Sequence, residues 1–137
     1  MADTVATHIM GREPTRRIIH LVNVSDGTGE ALVKKLDMAT ITAQNPITGA
    51  IGQPVSADID WVRWAVQGFS SVRLFWNHTV PDLALALSGN GYEDFDDGRG
   101  ALLDPRSAGL DGSLMLTTAG ALSGASYDIS ISVLFKF

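Results

Sequence analysis

Not one of the 137 residues is a cysteine. That excludes a disulfide framework, a thiolate zinc site and a cysteine nucleophile, and leaves the fold to packing and backbone pairing. Positive charge is also scarce: ten Lys and Arg face fifteen Asp and Glu, for a formal net charge of −5. The cations are scattered, so there is no basic stripe to neutralise a phosphate backbone, and nucleic acid is not an expected partner. Unbroken apolar runs reach only a few residues, where a membrane-spanning helix needs about 20. No membrane contact is expected. The first twenty residues hold no apolar stretch of the roughly 7 to 15 residues found in secretory leaders, which predicts synthesis in the cytoplasm. What is present is 45% apolar side chains and 14 glycines, in a chain of a size that builds one domain with a real core.

Residues 1–16 mix small, polar and charged side chains with no period of 2 or 3.6, which predicts a flexible N-terminal arm. Arg12 and Arg16 in the arm and Arg17 just after it are candidate contacts to a partner subunit. Residues 17–137 form the expected domain. Tyr127, Ile129, Ile131, Val133, Phe135 and Phe137 alternate with Asp128, Ser130, Ser132, Leu134 and Lys136, the pattern of a strand covering a core on one side. Val72, Leu74 and Trp76 repeat the logic in Ser71–Asn77, and Leu83, Leu85 and Leu87 make one face of Leu83–Ser88. Further strands are expected over Arg17–Val24, Glu30–Asp37, Asp58–Val66 and Ser113–Thr118, with an eighth between Ala39 and Val55. Asp26-Gly27, Gly89-Asn90-Gly91, Asp97-Gly98, Asp111-Gly112 and Ser123-Gly124 supply turns between them. The expected fold is all-β: an antiparallel β-sandwich or jelly-roll-like barrel of about seven or eight short strands.

Catalytic and ligand motifs fail one by one. Asp111-Gly112-Ser113-Leu114 reverses the first two residues of a lipase-type serine block, and no G-x-S-x-G elbow exists. Gly27-Thr28-Gly29-Glu30 lacks the third glycine and the following helix of a dinucleotide site. Glu93-Asp94-Phe95-Asp96-Asp97 is rich in carboxylates, but an EF-hand frame puts Phe95 where a calcium ligand is required, so a solvated acidic loop is the better reading. His8 lies in the arm and His20 inside an apolar strand, while His78 is placed to contact Asp82 across a turn at Pro81. Asn23-Val24-Ser25 and Asn77-His78-Thr79 match the glycosylation sequon, with no leader to bring them to the enzyme that reads it. The expectation is a protein that is not an enzyme and uses no cofactor or metal. Trp61 and Trp64 lie three apart, so strand periodicity sends them to opposite faces. The outward one is a candidate to stack on a sugar ring or to anchor a protein contact.

Several blocks in order carry a resemblance. They are Ser25-Asp26-Gly27-Thr28-Gly29-Glu30, the run Gly68-Phe69-Ser70-Ser71-Val72-Arg73-Leu74-Phe75-Trp76-Asn77-His78-Thr79, and Leu87-Ser88-Gly89-Asn90-Gly91-Tyr92. Leu103-Asp104-Pro105-Arg106-Ser107-Ala108-Gly109, Leu116-Thr117-Thr118-Ala119-Gly120 and Tyr127-Asp128-Ile129 complete the series. Over about residues 20–135 the chain resembles small virion structural proteins of tailed bacteriophages, although Lys34-Lys35-Leu36-Asp37 departs from the group's Val-Lys-Val-Asp. The resemblance implies a capsid decoration, or cement, protein on the outside of the head that ties neighbouring major capsid subunits together. A head-tail connector, neck or tail component is the alternative within the same group. A carbohydrate-binding β-sandwich using the outward Trp is the alternative from another class. The implied partners are the major capsid protein and a second copy of the chain, with a homodimer favoured over a trimer.

Overall fold

The computed structural model describes residues 3–10, 16–95, 102–105, 108–109 and 112–137. In chain order these residues form β1 (Thr4–Met10), β2 (Arg16–Asp26), β3 (Val33–Leu36), a 3-10 turn (Met38–Thr40), β4 (Ala43–Gln44), β5 (Ile51–Gly52) and β6 (Ser56–Gln67). There follow β7 (Ser71–Trp76), β8 (Asp82–Leu87), β9 (Asn90–Asp94), β10 (Leu114–Ala119) and β11 (Ser123–Lys136). A five-stranded sheet in the order β1-β2-β11-β6-β9 faces a four-stranded sheet in the order β3-β10-β7-β8, and β4 and β5 make a separate small hairpin. Every strand pair is antiparallel. Among the described residues both sheets keep free edges. The fold is therefore an open sandwich, and the barrel form of the expectation does not apply.

Period-2 burial builds the core. In β11, Tyr127, Ile129, Ile131, Val133 and Phe135 are buried, and their cross-strand neighbours Asn23, Leu21 and Ile19 in β2 are buried with them. Val72, Leu74, Trp76, Leu114, Leu116 and Leu36 close the core from the second sheet. The Trp76 indole N–H donates to the Ala57 carbonyl at 3.1 Å, so the largest core side chain leaves no orphaned donor.

Irregularities re-aim particular side chains. Ser132 pairs with Trp61 and Val133 with Ile59, which leaves Asp60 as an extra residue in β6. This bulge lets Ile59 and Val62 both face inward although three positions separate them. A second register shift in β8, where Leu74 pairs with Leu85 and Phe75 with Leu83, rotates Leu83 out of the expected Leu83-Leu85-Leu87 face. Leu83 is exposed while Leu87 is buried.

Three further differences from the sequence reading have physical causes. Residues 4–10 are not an irregular arm: they form β1, paired from Thr4 opposite Val24 to Met10 opposite Ile18. All seven residues of β1 are exposed, so no buried face marked them in the sequence. The beginning of the acidic stretch, together with Asn90 and Gly91 of the expected turn, becomes β9. Asp96 and Asp97 lie outside the described residues, as does the calcium reading that depended on them. Between Ala39 and Val55 the expected eighth strand is a pair of two-residue strands.

β9 is held by a tryptophan lying across a glycine. Trp64 pairs with Gly91 and donates its indole N–H to the Ser88 carbonyl at 2.9 Å. A Cβ on Gly91 would come within 2.3 Å of the Trp64 ring. Gly91→Val is therefore expected to cost about 1–3 kcal/mol by overpacking and to free β9 from the sheet. Chemical denaturation together with amide exchange of residues 90–94 measures both effects.

Candidate interaction face

The five-stranded sheet is wider than the sheet beneath it. Val5 and Ile9 pair with Asn23 and Ile19, which are fully buried, yet Val5 is 46% and Ile9 42% exposed. The second sheet thus stops under β2 and leaves β1 overhanging with both faces in solvent. Among the described residues β1 is also the outermost strand, so one side of its backbone has no ladder partner there.

Alternation assigns the outer face of the same sheet. Ala6, Val22, Asp128 and Ala65 form one cross-strand row, and His8, His20, Ser130, Arg63 and Tyr92 form the next. The small Ala and Ser residues leave a shallow trough of about 430 Å³ bounded by Val22, Val24, Gln67, Asn90 and Asp128. The His8 and His20 rings stack with centroids 6.1 Å apart, and His20 Nε2 lies 2.8 Å from an Asp128 carboxylate oxygen. The Tyr92 ring sits between Trp61, at 6.1 Å, and the Arg63 guanidinium, at 6.0 Å.

The residues singled out in the sequence divide between the two sides of this sheet. Trp61 lies on the outer face and Trp64 packs against the core, the one-in, one-out arrangement expected from their spacing. Arg16 reaches Asp60 at 3.3 Å on the outer side, whereas Arg17 lies over the Phe135 ring at 5.8 Å and caps one end of the core. Arg12 is outside the described residues. The structure brings Arg16 and Trp61 onto one face and separates them from Arg17 and Trp64.

Asp3 fastens the start of β1. Its Oδ2 accepts from Asn23 Nδ2 at 3.1 Å. Its Oδ1 accepts from Ser25 Oγ at 2.9 Å and from the Asp26 and Gly29 amides at 3.2 and 3.1 Å. Desolvation pushes this carboxyl up, but the hydrogen bonds from Asn23, Gly29, Ser25 and Asp26 outweigh it and hold the group below the usual carboxylate range. The folded-state value is the lower one, so the latch contributes stability above the unfolded value of about 3.9 and loses it as pH falls through the folded value. Amide exchange at Asp26 and Gly29 should rise on acidification below about pH 4, while Asp3→Asn flattens that dependence.

A second polar cluster lies at the other end of the sandwich. The buried His78 ring presents Nδ1 to Asp82 and Nε2 to Asp104 Oδ1, the latter at 2.8 Å. Both ring nitrogens are thus engaged, each by a carboxylate from a different part of the chain. The Asp104 amide donates to Asp58 Oδ1 at 2.9 Å, tying the 102–105 segment to β6. The His78 to Asp82 contact is the one expected from the sequence; Asp104 as the opposing partner was not legible there. Each ring nitrogen already faces a carboxylate, which gives the cluster the form of a structural tie.

Asn23, of the first sequon, is fully buried and closed to a glycan in the folded chain. Its period-2 relation to Ile19 and Leu21 was the available signal for that. No protein-family model, no curated protein and no solved structure matches the chain. Fold and site together define, among the described residues, an open-edged antiparallel β-sandwich whose edge strand β1 is exposed on both faces.

Proposed function

We propose that this chain is a virion structural protein, a cement protein that binds the outside of a phage head and ties neighbouring major capsid subunits together. The observation that carries the reading is β1. A strand with Val5, Ile9 and Met10 exposed and one backbone edge free is an aggregation hazard unless a partner covers it. Here it is fastened by seven cross-strand pairs and by the Asp3 latch, so it is presented to a partner in a fixed register.

Two copies related by a two-fold axis would pair β1 with β1 and continue the five-stranded sheet from one subunit to the next, which favours the homodimer. A dimer carries two capsid-binding faces. The second contact then becomes intramolecular, and patches of about 800 Å² per partner suffice for tight attachment. The resemblance to phage virion proteins across residues 20–135 supports the same role.

Co-sedimentation tests it. Purified protein added to heads that lack it should pellet with them to saturation at a fixed ratio to the major capsid protein. Protein that stays in the supernatant at micromolar concentration contradicts the proposal. Binding confined to the neck or tail supports the connector role instead.

A further inference from the structure

A lysine, a glutamate and an asparagine meet in the interior between the two sheets. Lys35 Nζ, on β3, lies 2.5 Å from Glu30 Oε2, with the two side chains only 4% and 6% exposed. The other oxygen of that carboxylate, Oε1, accepts from Asn23 Nδ2 of β2 at 2.8 Å and from the Tyr127 hydroxyl at 2.5 Å. Asn23 is fully buried, and its Oδ1 has no hydrogen-bond partner. The Phe69 ring, 6.0 Å from that of Tyr127, adds apolar cover. An amine, a carboxylate and a primary amide are thus lined up out of water, with one carboxylate touching both prospective reactants. As a resting ion pair this is an expensive arrangement, since a buried charge pair rarely recovers its desolvation cost.

From this geometry we infer that Lys35 and Asn23 condense spontaneously into an isopeptide bond, with Glu30 relaying the protons. Glu30 takes one proton from the Lys35 ammonium, and the neutral amine attacks Asn23 Cγ, forming the new C–N bond. Glu30 carries the protons released by Nζ to Nδ2; the Cγ–Nδ2 bond breaks, and the nitrogen leaves as ammonium. Lysine and asparagine become one secondary amide, Glu30 is regenerated, and no oxidant or co-substrate is consumed. Holding the reactants in place supplies the rate, because the attack becomes intramolecular and water is excluded. The Tyr127 hydroxyl holds Glu30 in position; burial and the adjacent Glu30 carboxylate push its ionisation up, so it remains a donor. The product stitches the five-stranded sheet to the four-stranded sheet. This inference is independent of the proposed role on a virion.

Intact-protein mass spectrometry of the full chain, allowing for removal of Met1, provides the test. The folded protein should weigh one ammonia, about 17 Da, less than its sequence, and digestion should yield a branched peptide joining the segments around Asn23 and Lys35. Lys35→Arg and Glu30→Gln should each restore the full mass. Asn23→Asp should lose water instead of ammonia. A wild-type mass equal to the sequence mass overturns the inference. So does an ammonia loss that persists in Lys35→Arg, because it would then come from cyclisation at Asn23 alone. The wild-type measurement decides the matter even if a variant fails to fold.

Discussion

Replacing His78 with alanine should lower stability by about 3–5 kcal/mol, the range for removing one partner of a buried pair of ionisable groups. The ring is fully buried between Asp82 and Asp104, so its loss leaves two acidic groups facing each other across the space it occupied. The 102–105 segment, which reaches β6 through the Asp104 amide and the paired backbones of Ile59 and Leu102, should loosen with it. Urea denaturation of His78→Ala gives the magnitude. His78→Gln, which keeps one side-chain donor, should fall between alanine and the wild type. A loss below about 1 kcal/mol would mean that the imidazole makes only a surface-grade contact.

The second large effect concerns β1. Deleting residues 1–10 should leave a folded sandwich, because every residue of β1 is exposed and the core lies beneath β2, β11 and β6. Self-association should disappear, and attachment to heads should weaken by about 10²–10⁴-fold, the loss expected when a bivalent contact becomes monovalent. Because the deletion also removes Asp3, the double substitution Val5→Lys and Ile9→Lys is the companion variant: it charges the exposed strand and keeps the latch. Sedimentation velocity reports the oligomer and head occupancy reports the attachment. Unchanged values for both variants would place the contacts elsewhere on the sandwich.

Where one side of a strand is buried and the other wet, the amino-acid pattern and the structure agree. β11, β7 and the middle of β2 are of this kind, because burial itself writes the alternation. β1 carries no such signature, since neither of its sides is covered. β9 is concealed by the turn-like Gly89-Asn90-Gly91 and the acids that follow; it is held by the Trp64 ring seated on Gly91, a tertiary fit that periodicity does not encode. The bulges at Asp60 and Ala84 shift side chains by one register, which decides whether Leu83 is inside or outside. Local polar pairs were legible and distant ones were not. His78 and Asp82 stand four apart across the Pro81 turn, whereas Asp104 arrives from a separate segment. Nothing in the local pattern of Glu30–Asp37 marks Lys35 as buried; β3 places it against Glu30, and Glu30 meets Asn23 of the opposite sheet.

The Asp3 latch and the Glu30 cluster lie where β1 and β2 join the rest of the sandwich, and the His78 tie lies at the opposite end. Counting copies of this chain in purified particles by quantitative mass spectrometry examines the proposed role most directly. Adhesion over a repeating shell predicts on the order of hundreds of copies per particle, in fixed proportion to the major capsid protein. A count of about six or twelve, as in a ring at a single vertex, or complete absence from the particle, would contradict it.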